Sequence, residues 1–228
     1  MVWSDEFDVD GAPNSANWNF DIGTGVNGWG NGESQYYTNR PENVIVEGGF
    51  LKITAQREEF MGSAFTSARL KSLGLQEFTY GKVEVRAKLP TGGGTWPAIW
   101  MLGADLATNP WPGAGEIDIV EHVGNQQDKI FSSLHFPGNF AGNAVTEDVD
   151  IANVSTEFHV YEVNWTDTSI TFSVDGTEFH SFVNSASVPF NKDFFLLMNV
   201  AMGGTFGGAI DPAFTRSSME VDYIRVYQ

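Results

Sequence analysis

The stretch Gly115-Glu116-Ile117-Asp118-Ile119-Val120-Glu121-His122 threads three carboxylates through a β-branched run. Isoleucine and valine lose side-chain freedom in a helix and pack well on a pleated surface, so the run reads as a strand. A strand alternates its side chains between faces, which sets Glu116 and Asp118 on one side and Ile117 and Ile119 on the other. Like charges side by side on a sheet face repel, so the pair is not there for stability. Glu121 breaks the parity and falls on the apolar side unless one extra residue is inserted. A β-bulge near Val120 returns it to the acidic face. The two glutamates then stand about four pleat steps apart, roughly 13 Å between backbones at about 3.3 Å per step. Side chains leaning inward bring the carboxyls near the roughly 5 Å separation of a retaining glycosidase, short of that in an inverting one.

Strand signatures recur outward from this segment: Val44-Ile45-Val46, Phe50 to Thr54, Gly81 to Leu89, Ile170 to Val174, and a last strand from Met219 to Tyr227. Turn markers separate them, among them Glu47-Gly48-Gly49, Pro90 to Gly94 and Gly203-Gly204. Asp175-Gly176 between two alternating runs predicts a tight hairpin. No segment keeps a helical period, so the expected architecture is an all-β sandwich, one domain over residues 1–228. Gly-, Asn- and Trp-bearing stretches at 23–34, 103–115 and 136–145 are expected to be surface loops framing a site.

A formal charge of −17 repels phosphates and anionic lipid, so nucleic acid and membrane are not expected partners. Aromatics make up 14% of the chain and Trp occurs seven times, more than a core requires, and flat rings suit the faces of sugars. With no Cys, thiol catalysis and thiolate metal sites are out of reach. The chain enters folded-domain sequence at Met1-Val2-Trp3-Ser4-Asp5, with no basic or apolar targeting region and no run long enough to span a bilayer. A secreted protein whose signal peptide has been removed is the expectation, and a monomer.

Blocks spread along the whole chain resemble the laminarinase-like endo-β-1,3-glucanases of glycoside hydrolase family 16. They are Trp3-Ser4-Asp5-Glu6-Phe7, Gln35-Tyr36-Tyr37-Thr38, Ser67-Ala68-Arg69-Leu70, Trp96 to Leu102, Gly115 to Glu121 and Val221 to Tyr227. The resemblance implies a concanavalin A-like jelly roll with a concave glycan-binding cleft, and double displacement on laminarin-like β-glucans. Carried over by position, Glu116 is the nucleophile, Glu121 the general acid/base and Asp118 their electrostatic partner. That agrees with the residues themselves, since an acid between two glutamates keeps one ionised by hydrogen bonding and raises the proton affinity of the other. The acid motif is one residue longer than the lichenase pattern, which favours β-1,3 over mixed-linkage β-1,3-1,4-glucan. A non-catalytic glucan-binding lectin would be expected to lack one of the glutamates.

The same resemblance places Arg69 on sugar hydroxyls or the nucleophile, and His135 on the acid cluster or the substrate. Trp96 and Trp100 share strand parity and are implied in the cleft, with the core left open for one of them. Trp111, in a loop before the acid strand, is read as a substrate contact. Asn31 and Asn199 match positions on the glycone side, and Trp29 is a weaker candidate for the same rim. His122 is read as structural; His159 and His180 have no evident carboxylate partner and receive no role. A structural calcium is implied on the convex side, held by two backbone carbonyls and one carboxylate among Glu6, Gly49 and Asp222, while catalysis needs no cofactor.

Overall fold

The computed structural model describes residues 1–228 as eighteen strands in two sheets, of ten and eight strands. Every run read as a strand is one, and the jelly-roll sandwich expected from the sequence is the fold. Pairing is antiparallel except where Gln35–Tyr37 lies beside Ser63–Ser67. Asp175 (φ 48°) and Gly176 (φ 76°) close a two-residue hairpin joining Val174 to Thr177, a turn that demands positive φ at both positions. The last strand starts three residues earlier than the alternation suggests, at Arg216, and runs to Tyr227. The only α-helix is the single turn Gly204–Gly207.

The eight-stranded sheet carries the acid motif. Its order is Val145–Asp150, Lys129–His135, Glu116–His122, Thr95–Gly103, Phe194–Met202, Arg69–Lys71, Asn19–Asp21, with Glu77–Phe78 also against Phe194–Met202. One face of this sheet packs on the other sheet in a single core of 40 buried residues. Ile99, Met101, Ile117, Leu134, Met198 and Val200 meet Leu51, Ile53, Val85, Val163, Val221 and Ile224 there. Each large side chain so buried contributes about 1.5–3 kcal/mol, which fixes the face every other residue must show.

All nine residues of Phe194–Met202 are buried. Its outer side chains Phe195 and Leu197 join Leu102 in a small second apolar cluster, against which Trp100, Leu73, Ala104 and Leu106 pack. The outer face of the sheet is therefore not uniformly polar: it has an apolar floor on one flank of the acids. His122 is fully buried and its Nδ1 donates to the Lys129 carbonyl at 2.8 Å, a structural role as read from the sequence. His159 differs from the expectation, since its Nδ1 meets Asp175 Oδ2 at 2.7 Å. The hairpin turn brings that carboxylate back over the strand, a contact invisible to strand parity.

Candidate active site

The bulge is the feature that assembles the site. On one side Ile99 pairs with Val120 and Trp100 with Asp118, leaving Ile119 without a partner. On the other, Asp118 pairs with Ser133 and Glu121 with Phe131. Ile119 and Val120 are each 1% exposed and both enter the core. Two consecutive side chains thus go inward, and Glu116, Asp118 and Glu121 all emerge on the outer face.

Register then supplies their neighbours. Glu116 pairs with His135, whose Nε2 lies 3.1 Å from Asp118 Oδ2 and 3.7 Å from Glu116 Oε1. The backbone N–H of Ala141 meets His135 Nδ1 at 3.1 Å, which turns Nε2 toward the acids. Glu121 accepts from the Trp96 indole N–H at 2.9 Å and from Ser133 Oγ at 3.4 Å. Ser133 is in turn hydrogen-bonded to Thr146 at 2.9 Å.

Burial pushes all three carboxyls above the usual range. Glu116 is pushed up to about 8, first by burial and then by the charge of Asp118, with His135 and Arg69 pulling it back. Asp118 is raised well above the ordinary value by burial and by Glu121, and its hydrogen bond with Glu116 opposes that. Glu121 is raised by burial, while the Trp96 and Ser133 hydrogen bonds and His135 lower it. Three crowded acids do not all ionise together. Glu116 and Asp118 therefore share a proton across their hydrogen bond, and burial of Glu121 holds a proton there available for donation.

The second flank is a chain of hydrogen bonds. Trp100 Nε1 donates to Asn199 Oδ1 at 2.8 Å, Asn199 Nδ2 donates to the Tyr37 hydroxyl at 3.2 Å, and that hydroxyl donates to Glu33 Oε2 at 3.1 Å. Glu33 also accepts from Gln35 at 2.7 Å and from Asn31 at 3.1 Å. Asn199, expected against sugar, is 6% exposed with both ends of its amide engaged, so what it does is hold the Trp100 indole in place. Asn31 is half-buried and oriented by Glu33.

Arg69 lies between two indoles, 4.7 Å from the ring of Trp29 and 4.8 Å from that of Trp100. Its Nε is 3.0 Å from Asp21 Oδ2, and Asp21 also pairs with Lys71. Trp96 and Trp100 both stand on the outer face, neither in the core, and Trp96 meets Phe206 edge to face at 5.5 Å. Trp111 stands 40% exposed with its ring 5.9 Å from that of His135.

Glu33, Gln35, Ser133 and Thr146 were not singled out from the sequence. The signal for the first two was present, because Glu33, Gln35 and Tyr37 recur at every second residue, one face of an extended segment that follows the turn Gly28–Gly32 holding Asn31. Ser133 and Thr146 carry no comparable pattern; only the pairing of their strands brings them to Glu121.

Away from the acids, register brings the three implied calcium residues to one corner. The strand Trp3–Asp5 ends beside Ile224 just before Glu6, Gly49 directly precedes Phe50–Phe60, and Asp222 is the extra residue of a bulge between Val221 and Tyr223. Arg225 binds both oxygens of Glu6, at 3.0 and 2.8 Å, which leaves Glu6 its backbone carbonyl. Arg86 pairs with Asp222 through Oδ2 alone. Two carbonyls and a free carboxylate oxygen are a donor set that suits a hard cation.

Comparison with known proteins gives a consistent result. The model of glycosyl hydrolases family 16 matches residues 31–225. A β-glucanase of Rhodothermus marinus is 41% identical over all of this chain and 85% of the relative. The laminarinase structure from Rhodothermus marinus superposes with a TM-score of 0.94 at 43% identity, covering 100% of this chain and 96% of that one. LamA from Zobellia galactanivorans, solved as a serine-for-glutamate variant with laminaritriose and laminaritetraose, superposes with a TM-score of 0.92 at 39% identity, covering 100% and 98%.

Proposed function

The chain belongs to glycosyl hydrolases family 16, and within that family we propose that it hydrolyses internal β-1,3-glucosidic bonds of laminarin-like glucans with retention of configuration. The observation that carries the reading is the bulge at Ile119 and Val120, which puts a crowded pair of glutamates on the same open face with Asp118 between them. Glu116 attacks the anomeric carbon while Glu121 donates its proton to the leaving glycosidic oxygen. Glu121, now a carboxylate, takes a proton from water as that water attacks the anomeric carbon and releases the sugar from Glu116. Asp118 takes up the proton it shares with Glu116 so that Glu116 attacks as a carboxylate, and His135, with Nε2 toward the acids, limits the charge that builds among them.

Arg69, Trp100 and Asn31 line the cleft on one flank, Trp96 and Trp111 near the acids. Calcium bound by the carbonyls of Glu6 and Gly49 and the carboxylate of Asp222 would tie the N-terminal strand to the last strand, remote from the reaction. A polymeric substrate fits an extracellular setting.

Chromatography of products over time, with laminarin and mixed-linkage β-glucan offered separately, tests the reading. Mid-chain cleavage of laminarin is expected, giving a spread of oligosaccharides before small sugars accumulate. Cleavage of the mixed-linkage glucan alone would reassign the linkage, and no products from either would overturn the hydrolase reading.

A further inference from the structure

One buried oxygen of the acid cluster has no hydrogen-bond partner. Asp118 is 3% exposed, and its Oδ2 accepts no hydrogen bond. His135 Nε2 stands 3.1 Å from that oxygen without hydrogen-bond geometry, and 3.7 Å from Glu116 Oε1. A buried acceptor with no donor is costly and uncommon in a folded protein, and it marks a place where a cation or a reacting group belongs.

One donor atom from each of Glu116, Asp118 and His135 lies within 4.8 Å of the other two. Zinc takes imidazole nitrogen and carboxylate oxygen at about 2.0–2.2 Å in a tetrahedron, whose corners then stand about 3.3–3.6 Å apart. The separations of 3.1 and 3.7 Å bracket that spacing. Register supplies the set, since Glu116 and Asp118 alternate along one strand and Glu116 pairs with His135 on the next. Ala141 holds the other nitrogen of the ring, which fixes the imidazole with Nε2 toward the carboxylates. Glu121 stands aside, its oxygens engaged by Trp96 and Ser133. The side chains of Glu116 and His135 are 17% and 14% exposed, so an ion enters from the cleft and keeps water in its fourth position. Its two positive charges offset the repulsion between the crowded carboxylates.

We infer that Glu116, Asp118 and His135 bind a divalent transition-metal ion of the zinc type, which occupies the reacting centre and competes with the glucan. The site is inhibitory and distinct from the corner of Glu6, Gly49 and Asp222. An imidazole and a four-coordinate cage suit zinc, whereas calcium takes about six to eight oxygens. That the ion competes with glucan rests on the hydrolase reading above; that it binds does not.

The test uses the whole chain with calcium in excess, so that the Asp222 corner is filled, and compares wild type, His135→Gln and Asp118→Asn. Two variants are made because either one alone can lose the fold, which circular dichroism reports. Cobalt(II) serves as the optical probe, and zinc as the competitor. Wild type is expected to take up a single equivalent of cobalt with the visible absorption of a four-coordinate ion. Zinc, which has no d-electron preference among geometries, is expected to bleach that band by displacement. Zinc should also raise the apparent KM for laminarin and leave kcat unchanged. Removing even an outer partner of a metal ligand weakens binding by about tenfold or more, so His135→Gln is expected to lose at least that much affinity for both ions. Uptake that the folded variants leave unchanged would overturn the inference, because the ion would then lie elsewhere. A zinc effect confined to kcat would overturn it as well. Cleavage of laminarin by a wild type that takes up no cobalt refutes this inference alone, whereas cobalt uptake lost in the variants, with no cleavage of any glucan, upholds the metal site and refutes the hydrolase reading.

Discussion

The indole N–H of Trp96 donates to Glu121 Oε1 at 2.9 Å, joining a cleft aromatic to one of the two glutamates. The bond favours the ionised form of Glu121 and opposes the burial that raises its proton affinity. A general acid works only while protonated, so the alkaline fall in kcat/KM follows this group. Trp96→Phe removes the donor and keeps most of the ring. The prediction is a Glu121 that holds its proton to higher pH, with the alkaline limb of the profile displaced upward. A limb that stays in place or moves down would show that Glu121 is not the group titrating there.

Glu116 links function to stability. Its affinity for a proton is raised in the folded chain to about 8 from an ordinary 4.5. The folded form thus holds a proton where the unfolded chain has lost it, and the associated stability is fully present below about pH 4.5 and lost as pH rises towards 8. Glu116→Gln is isosteric and does not titrate. The variant is expected to lack hydrolytic activity and to melt above the wild type, with a gap that is small near pH 4.5 and widens to pH 8. For a chain of this size each kcal/mol appears as roughly 2–4 °C in Tm. Calorimetry of both proteins across that range checks it; a gap that narrows with rising pH would contradict the account.

Deleting Ile119 removes the extra residue of the bulge. Every side chain beyond it changes face, which drives Glu121 toward the core and His122 toward the cleft. Burying an unpaired carboxyl among Ile99, Ile130 and Leu134 costs several kcal/mol, so the expected product is unfolded or inactive. Circular dichroism and activity on laminarin decide it. A folded, active deletion variant would mean that register, and not the bulge, places Glu121.

Much of this site is legible in the sequence because it rests on parity. The alternation of Glu116 and Asp118, broken at Glu121, predicts the bulge. Trp96 and Trp100 share a face for the same reason. Phe194–Met202 is harder to read, since a strand covered on both faces has no alternation and its nine residues are all buried. Asn199 sits in that run, and its burial between Trp100 and Tyr37 depends on three strands meeting at one place. The contacts of His135 with Ala141 and of His159 with Asp175 depend on turn geometry, and side-chain periodicity carries no information about turns.

The calcium corner gives a prediction separable from catalysis. Chelation is expected to lower Tm, and added calcium to restore it; a site about a hundredfold saturated contributes about 2.7 kcal/mol, or roughly 5–10 °C here. Asp222→Asn should abolish the response while the acid cluster is untouched. A Tm indifferent to chelator in the wild type would remove calcium from this corner and leave Arg86 and Arg225 as its counter-charges.

The central claim is that Glu116 and Glu121 act by double displacement, and the anomer first released reports it most directly. Proton NMR of a laminari-oligosaccharide digest, recorded before mutarotation, is predicted to show the β anomer appearing first and the α anomer growing in later. An α anomer appearing first would mean direct attack by water from the opposite face, and would contradict the assignment of Glu116 as nucleophile.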